Sequence, residues 1–123
     1  MFTFDTNVLI YHLHDDPSVR YYFENIHESI YPSYISVITE TELFRYPSLH
    51  LEEEAMIDNL LHLFSIVPTD SSIARHAGRL GRTYNLKLGD SIIAATALFT
   101  GTTLVTRNVR DFKKIPDLSI EAV

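Results

Sequence analysis

Four short apolar runs, each broken off by a stretch with helix signals, constrain this chain more than any other feature of its sequence. Phe2–Asp5, Tyr34–Val37, Ser65–Val67 and Thr103–Thr106 have the length of buried strands, and Leu118–Val123 offers a fifth. The intervening segments carry helix starts and stops. Asn7 to His14 reads as a short helical turn. Asp16 caps a helix that has Pro17 at its first position and runs to about Ser29. Thr39 is expected to cap Glu40–Tyr46, with Pro47 as its stop. Ser48 or His50 opens the next helix, where Glu52, Glu53 and Glu54 crowd the first turn and complement the helix dipole. Its apolar face is expected to be Ala55, Met56, Leu60, Leu61 and Phe64. Asp70 opens a helix to Tyr84 with Ile73, Ala77 and Leu80 on one side. Gly89-Asp90-Ser91 opens the last long helix, Ile92 to Thr100, which Gly101 ends. That helix is apolar nearly all round, so it should be buried. Residues 108–114 form a loop or short helix. Strands alternating with helices predict a three-layer α/β/α sandwich on a mainly parallel sheet with right-handed crossovers.

At 123 residues the chain has room for one domain, taken here as residues 1–123, and its 46% hydrophobic content can build a core. It has no cysteine, which excludes disulfides, thiolate metal sites and a cysteine nucleophile. No apolar run reaches membrane-spanning length, and the start of the sequence lacks a basic, cleavable leader. A cytoplasmic location is therefore expected. The net charge of -6 argues against a plain nucleic-acid-binding module, whose affinity would come from basic residues. It leaves room for a nuclease that neutralises its site with cations, and it suits a basic protein partner.

In an open parallel sheet ligands collect beyond the carboxyl ends of the strands. Four acids fall at that edge. Asp5 ends the first strand, Glu42 lies one turn into the helix after the second, Asp90 begins the last long helix, and Asp111 follows the fourth strand. Each has an ordinary alternative: a turn cap for Asp5, a helix cap for Asp90, a solvated helix residue for Glu42, a surface charge for Asp111. Together they mean more. Two carboxylates about 5 Å apart repel by roughly 3 kcal/mol at an effective dielectric of 20, so a cluster needs protons or cations. All-oxygen donors favour a hard ion such as Mg²⁺ or Mn²⁺. Thr6, Asn7, Ser91, Thr106 and Asn108 adjoin the acids and can orient carboxylates or a water, or serve simply as turn residues.

These segments resemble the PIN-domain family, and within it the small VapC-type toxins. The likeness is carried by Phe4-Asp5-Thr6-Asn7-Val8-Leu9-Ile10, by Ile35-Ser36-Val37-Ile38-Thr39 with Glu42-Leu43, by Leu88-Gly89-Asp90-Ser91-Ile92-Ile93-Ala94-Ala95-Thr96-Ala97, and by Leu104-Val105-Thr106-Arg107-Asn108-Val109-Arg110-Asp111-Phe112. The four blocks occur in family order across nearly the whole chain. The resemblance implies a Mg²⁺- or Mn²⁺-dependent endoribonuclease, in which a water activated by the metal attacks the phosphodiester in line and leaves a 5′-phosphate and a 3′-hydroxyl. It implies Asp5, Glu42 and Asp90 as the main metal-holding carboxylates, Asp111 as a fourth acting through water, and Thr106 and Asn108 in support. It further implies a homodimer and a protein antitoxin. Phe44-Arg45-Tyr46-Pro47 departs from the family pattern, where a small residue such as glycine is common.

Arg107, Arg110, Lys113 and Lys114 lie beside Asp111 and are the candidates for contacting an RNA backbone. Arg75, Arg79 and Arg82 share one helix face, either as phosphate guides or as a solvated face. There is no His-Glu-x-x-His pattern, no serine-triad signature and no glycine-rich phosphate loop. Tyr21, Tyr22 and Phe23 are expected mainly in the core. The alternatives to a toxin ribonuclease are an RNA-processing PIN-type nuclease without an antitoxin and a catalytically inactive PIN-like binding module.

Overall fold

The computed structural model describes residues 1–46 and 49–123. The expectations that Pro47 stops a helix and that Ser48 opens one lie outside these residues. In chain order the described elements are β1 (Phe2–Phe4), α1 (Thr6–Leu13), a 3-10 turn (Pro17–Val19), α2 (Arg20–Glu24), β2 (Ser33–Ser36), α3 (Val37–Phe44), α4 (Leu51–Leu61), β3 (Ser65–Val67), α5 (Ser71–Tyr84), α6 (Leu88–Thr100), β4 (Thr103–Thr106), α7 (Val109–Phe112) and β5 (Ile120–Ala122). The strands form one sheet in the order β3-β2-β1-β4-β5, and every neighbouring pair is parallel. The expected α/β class holds, with the sheet parallel throughout rather than mainly so.

Each face of the sheet carries its own core, which makes three layers. Strand residues alternate between faces. Phe4 and Val105 point into one cluster, with Val8 and Leu9 of α1, Phe23 of α2, and Ile57, Leu60 and Leu61 of α4. Leu104 points into the other, with Ile73, Ala77 and Leu80 of α5, Ile93, Ala94, Ala95 and Ala97 of α6, and Phe112. Phe4 is ringed edge-on by Phe2, Tyr22 and Phe64 at centroid distances of 5.5–6.1 Å. Phe23 stays buried as expected; Tyr22 is half-buried and donates its phenol to Glu121, while Tyr21 is exposed. Among the described residues no helix is long and apolar enough to cross a membrane.

Several boundaries differ from expectation for local reasons. Helix α1 begins at Thr6, one residue early, directly after Asp5. Helix α2 ends at Glu24, not near Ser29, where the Asn25 amide donates back to the Tyr21 carbonyl at 2.7 Å. Ser36, not Thr39, caps α3 by accepting the Ile38 N–H, and the helix ends at Phe44. The β-branched Val37 and Ile38 look like strand, but β2 pairing stops at Ser36 opposite Val67. In α4 the buried face is Ile57, Leu60 and Leu61; Ala55 and Met56 are exposed. Helix α5 starts on Asp70 as expected, its carboxylate accepting from the Ile73 N–H at 2.9 Å. Helix α6 starts at Leu88 with Lys87 at its cap position, so Asp90 is a third helical residue and not the cap. The middle of α6 is buried as expected, whereas Leu88 and Phe99 at its ends are exposed.

Candidate functional site

The chain runs outward from β1 through β2 to β3, then crosses back to lay β4 on the other side of β1. The two halves diverge at the carboxyl ends of β1 and β4, the point where such sheets leave a crevice. Asp5 directly follows β1, and its N–H donates to the Val105 carbonyl at 3.0 Å, which ties it to β4. The Thr106 hydroxyl, fully buried at the end of β4, donates to Asp5 Oδ2 at 2.8 Å and accepts the Asn108 N–H at 2.9 Å. Asn108 Nδ2 reaches Asp111 Oδ2 at 3.1 Å and Asp90 Oδ2 at 3.5 Å. On the β2 side the Thr6 hydroxyl donates to Glu42 Oε1 at 2.8 Å and shares a 2.9 Å bond with Thr39 Oγ1.

Electrostatics join these pieces into one neighbourhood. Asp5 is only 3% exposed, and its pKa is pushed up to about 6. Burial is the main cause; the charges of Asp90 and Glu42 add to it, and the Thr106 hydroxyl and Thr6 backbone oppose it. Asp90 is also raised, by burial first and then by Asp111 and Glu42, with Lys87 working the other way. Asp111 is held below the ordinary carboxylate range, chiefly by the Asn108 amide and then by Lys114 and Arg110. Asp5, Glu42 and Asp90 therefore lie within reach of one another's charge at one sheet edge, with Asp111 within reach of Asp90. Among the described residues no three His, Asp or Glu side chains close on a single point as they stand. A hard cation of the Mg²⁺ type does not require such a cage, since one or two carboxylates plus water and substrate oxygens satisfy it.

The remaining expected residues divide. Thr6, Thr106 and Asn108 touch the acids. Asn7 is exposed in the first turn of α1. The Ser91 hydroxyl is buried but turns back to the Leu88 carbonyl at 2.8 Å, so it orients no carboxylate. Arg107 is already engaged within the chain. Its guanidinium lies 3.9 Å from the Tyr11 ring centroid, pairs with Asp16 at 3.5 Å and donates to Ser18 Oγ. Lys114 pairs with Asp111 at 3.6 Å and reaches the Tyr84 carbonyl. Arg110 and Lys113 are exposed beside the site. Sequence reasoning missed Thr39, Lys87 and Gly89. The spacing of Thr39 and Glu42 on one helix face was an available signal, as was Lys87 three residues before Asp90. A groove of about 220 Å³ lies between α1, α3 and α4, lined by Ile10, Leu13, Leu43, Tyr46, Met56 and Ile57.

The sequence matches the family model for the PIN domain over residues 2–118. The chain belongs to the PIN-domain family. Its similarity to curated PIN proteins spans both chains: Ribonuclease VapC10 of Mycobacterium tuberculosis is 32% identical over 123 residues, covering 96% of this chain and 90% of that protein. Among solved structures, a toxin-antitoxin complex from Klebsiella pneumoniae matches at 32% identity and a TM-score of 0.76, with all of both chains covered. The DNA-bound VapBC of Salmonella typhimurium matches at 26% identity and a TM-score of 0.84, covering 98% of this chain and 96% of that one.

Proposed function

We propose that residues 1–123 form one PIN nuclease domain that cleaves RNA with the help of Mg²⁺ or Mn²⁺, and that it is the toxin of a toxin-antitoxin pair. The observation that carries this is the convergence of Asp5, Glu42, Asp90 and Asp111, two of them raised by burial and mutual repulsion, at the β1–β4 edge. Such a cluster is unfavourable unless a cation or a proton compensates it. The all-oxygen donor set fits a hard divalent ion, with Asp5, Glu42 and Asp90 as holders and Asp111 as the more exposed fourth. When bound, such an ion would acidify a water and offset charge on a phosphodiester.

The chain's own residues set the rest. Thr106 holds Asp5 by one oxygen, and Thr6 holds Glu42 by one of its own. Asn108 bridges Asp90 and Asp111 and keeps them from spreading. Arg110 and Lys113 would contact RNA phosphates, whereas Arg107 secures the end of β4. An antitoxin partner is supported by the toxin-antitoxin complexes among the structural relatives, by the open apolar groove and by the net charge of -6, which favours a basic partner. We assign homodimerisation and a cytoplasmic location on the same family basis.

The test compares native protein with Asp5→Asn and Asp90→Asn on structured RNA, with Mg²⁺ or Mn²⁺ and with chelator. Cleavage is expected only for native protein with metal, giving 5′-phosphate ends. Equal cleavage by all three proteins would refute the carboxylate chemistry, and no cleavage by native protein with either metal would leave a binding module as the better reading.

A further inference from the structure

Gly89 sits at the second position of α6 with ordinary helical backbone, so no turn or left-handed conformation demands glycine there. The side-chain space does. A Cβ on Gly89 would lie 3.2 Å from Glu42 Oε2, 3.5 Å from its Cδ and 3.6 Å from Oε1. It would thus press on the face of the carboxylate. That carboxylate has little room to yield, because Thr6 holds Oε1 at 2.8 Å and Thr6 is itself tied to Thr39. The glycines of α5 differ. Gly78 has nothing within 4 Å of a built Cβ, and Gly81 would make ordinary contact with Ser91.

We propose that Gly89 is a positioning residue: its missing side chain lets the Glu42 carboxylate lie flat against the first turn of α6, beside Asp90, and so sets the spacing between acids contributed by two different helices. This rests on the metal-binding reading above. A methyl group at position 89 would displace the carboxylate by a few tenths of an ångström and either break its bond to Thr6 or turn an oxygen away from Asp90. Neither change touches the hydrophobic core.

The experiment uses the full chain as native protein, Gly89→Ala and Gly78→Ala. Mn²⁺ binding is followed by the electron paramagnetic resonance of free Mn²⁺, and thermal melts are run in chelator. Alanine is the better helix former, which offsets the loss of a hydrogen bond of similar size, so neither variant should melt well below native protein. Gly89→Ala should nevertheless bind Mn²⁺ roughly tenfold more weakly or worse, the scale seen when a group that orients a metal ligand is disturbed. Gly78→Ala should bind as native. Equal Mn²⁺ affinity for Gly89→Ala and native protein overturns the proposal while leaving the metal reading intact. Failure of native protein to bind Mn²⁺ sinks both. A Gly89→Ala protein melting well below native also overturns it, since the strain would then fall on the helix and not on the carboxylate.

Discussion

Replacing Asp5 with asparagine should make the metal-free protein more stable. Asp5 is almost wholly buried and titrates at about 6 in place of the ordinary 3.8. Its folded pKa lies above its unfolded one, so the folded chain holds this proton more tightly. Stability from Asp5 is therefore fully present below the unfolded value and is lost as pH rises through about 6. At neutral pH that loss amounts to about 3 kcal/mol. Asparagine has nearly the same shape and no charge. Its carbonyl can still accept the Thr106 hydroxyl, and a neutral amide removes the repulsion from Asp90 and Glu42. In chelator above about pH 7, Asp5→Asn should gain up to about 3 kcal/mol, which for a chain of this length is roughly 10 °C in melting temperature. The gain should shrink toward zero at about pH 4, where Asp5 is protonated in the folded state and increasingly so in the unfolded one. Melts followed by circular dichroism across this pH range, with EDTA and then with millimolar Mn²⁺, give the answer. Mn²⁺ should raise the native protein and hardly move the variant. An Asp5→Asn protein that melts at or below native at neutral pH in chelator, or whose gain is the same at every pH, would refute this account of Asp5.

Two further outcomes follow from the same geometry. Thr106→Val removes a buried donor to Asp5 Oδ2 and leaves the Asn108 N–H without its acceptor, so it should lower stability by about 1–3 kcal/mol and weaken Mn²⁺ binding together; unchanged melts and titrations would contradict this. Arg110→Gln with Lys113→Gln should flatten the salt dependence of RNA binding, by roughly 0.7 in the log–log slope for each phosphate no longer neutralised, whereas Arg107→Gln should lower the melting temperature and leave that slope alone.

Much of the fold was legible in the residues. The strand runs Ser65–Val67 and Thr103–Thr106 and the helix opened by Asp70 stand where their patterns put them, because short apolar runs and an aspartate cap are local signals. The acids stood out because each lies just past a strand or at the start of a helix, and the parallel topology carries those places to the same edge. What was not legible depended on tertiary contact. Thr39 looks like a cap by composition, yet it is buried behind Thr6 while Ser36 takes the cap. Ser91 has the right neighbour but commits its hydroxyl to the Leu88 carbonyl. Arg107 sits among basic residues in the sequence, yet Tyr11, Asp16 and Ser18 come from a segment about ninety or more positions away, and no spacing rule announces them.

Asp111, Asp90 and Asp5 are graded in electrostatic setting, and the gradient has a direction. Asp111 lies on the rim, held low by Asn108, Lys114 and Arg110, so it remains charged well into acid. Asp90 is intermediate, raised but relieved by Lys87. Asp5 is the innermost, with no basic side chain among the groups that set its pKa. On the proposed reading a cation would meet the reliably charged Asp111 before the buried Asp5. Charge that a cation would neutralise at Asp5 is charge the fold has kept out of water at a cost of about 3 kcal/mol, and binding a cation there returns that energy to the complex. On the proposed reading the same residue would weaken the empty fold and strengthen the loaded one. A chain selected for stability alone would have no reason to bury an aspartate between Thr106 and two further acids.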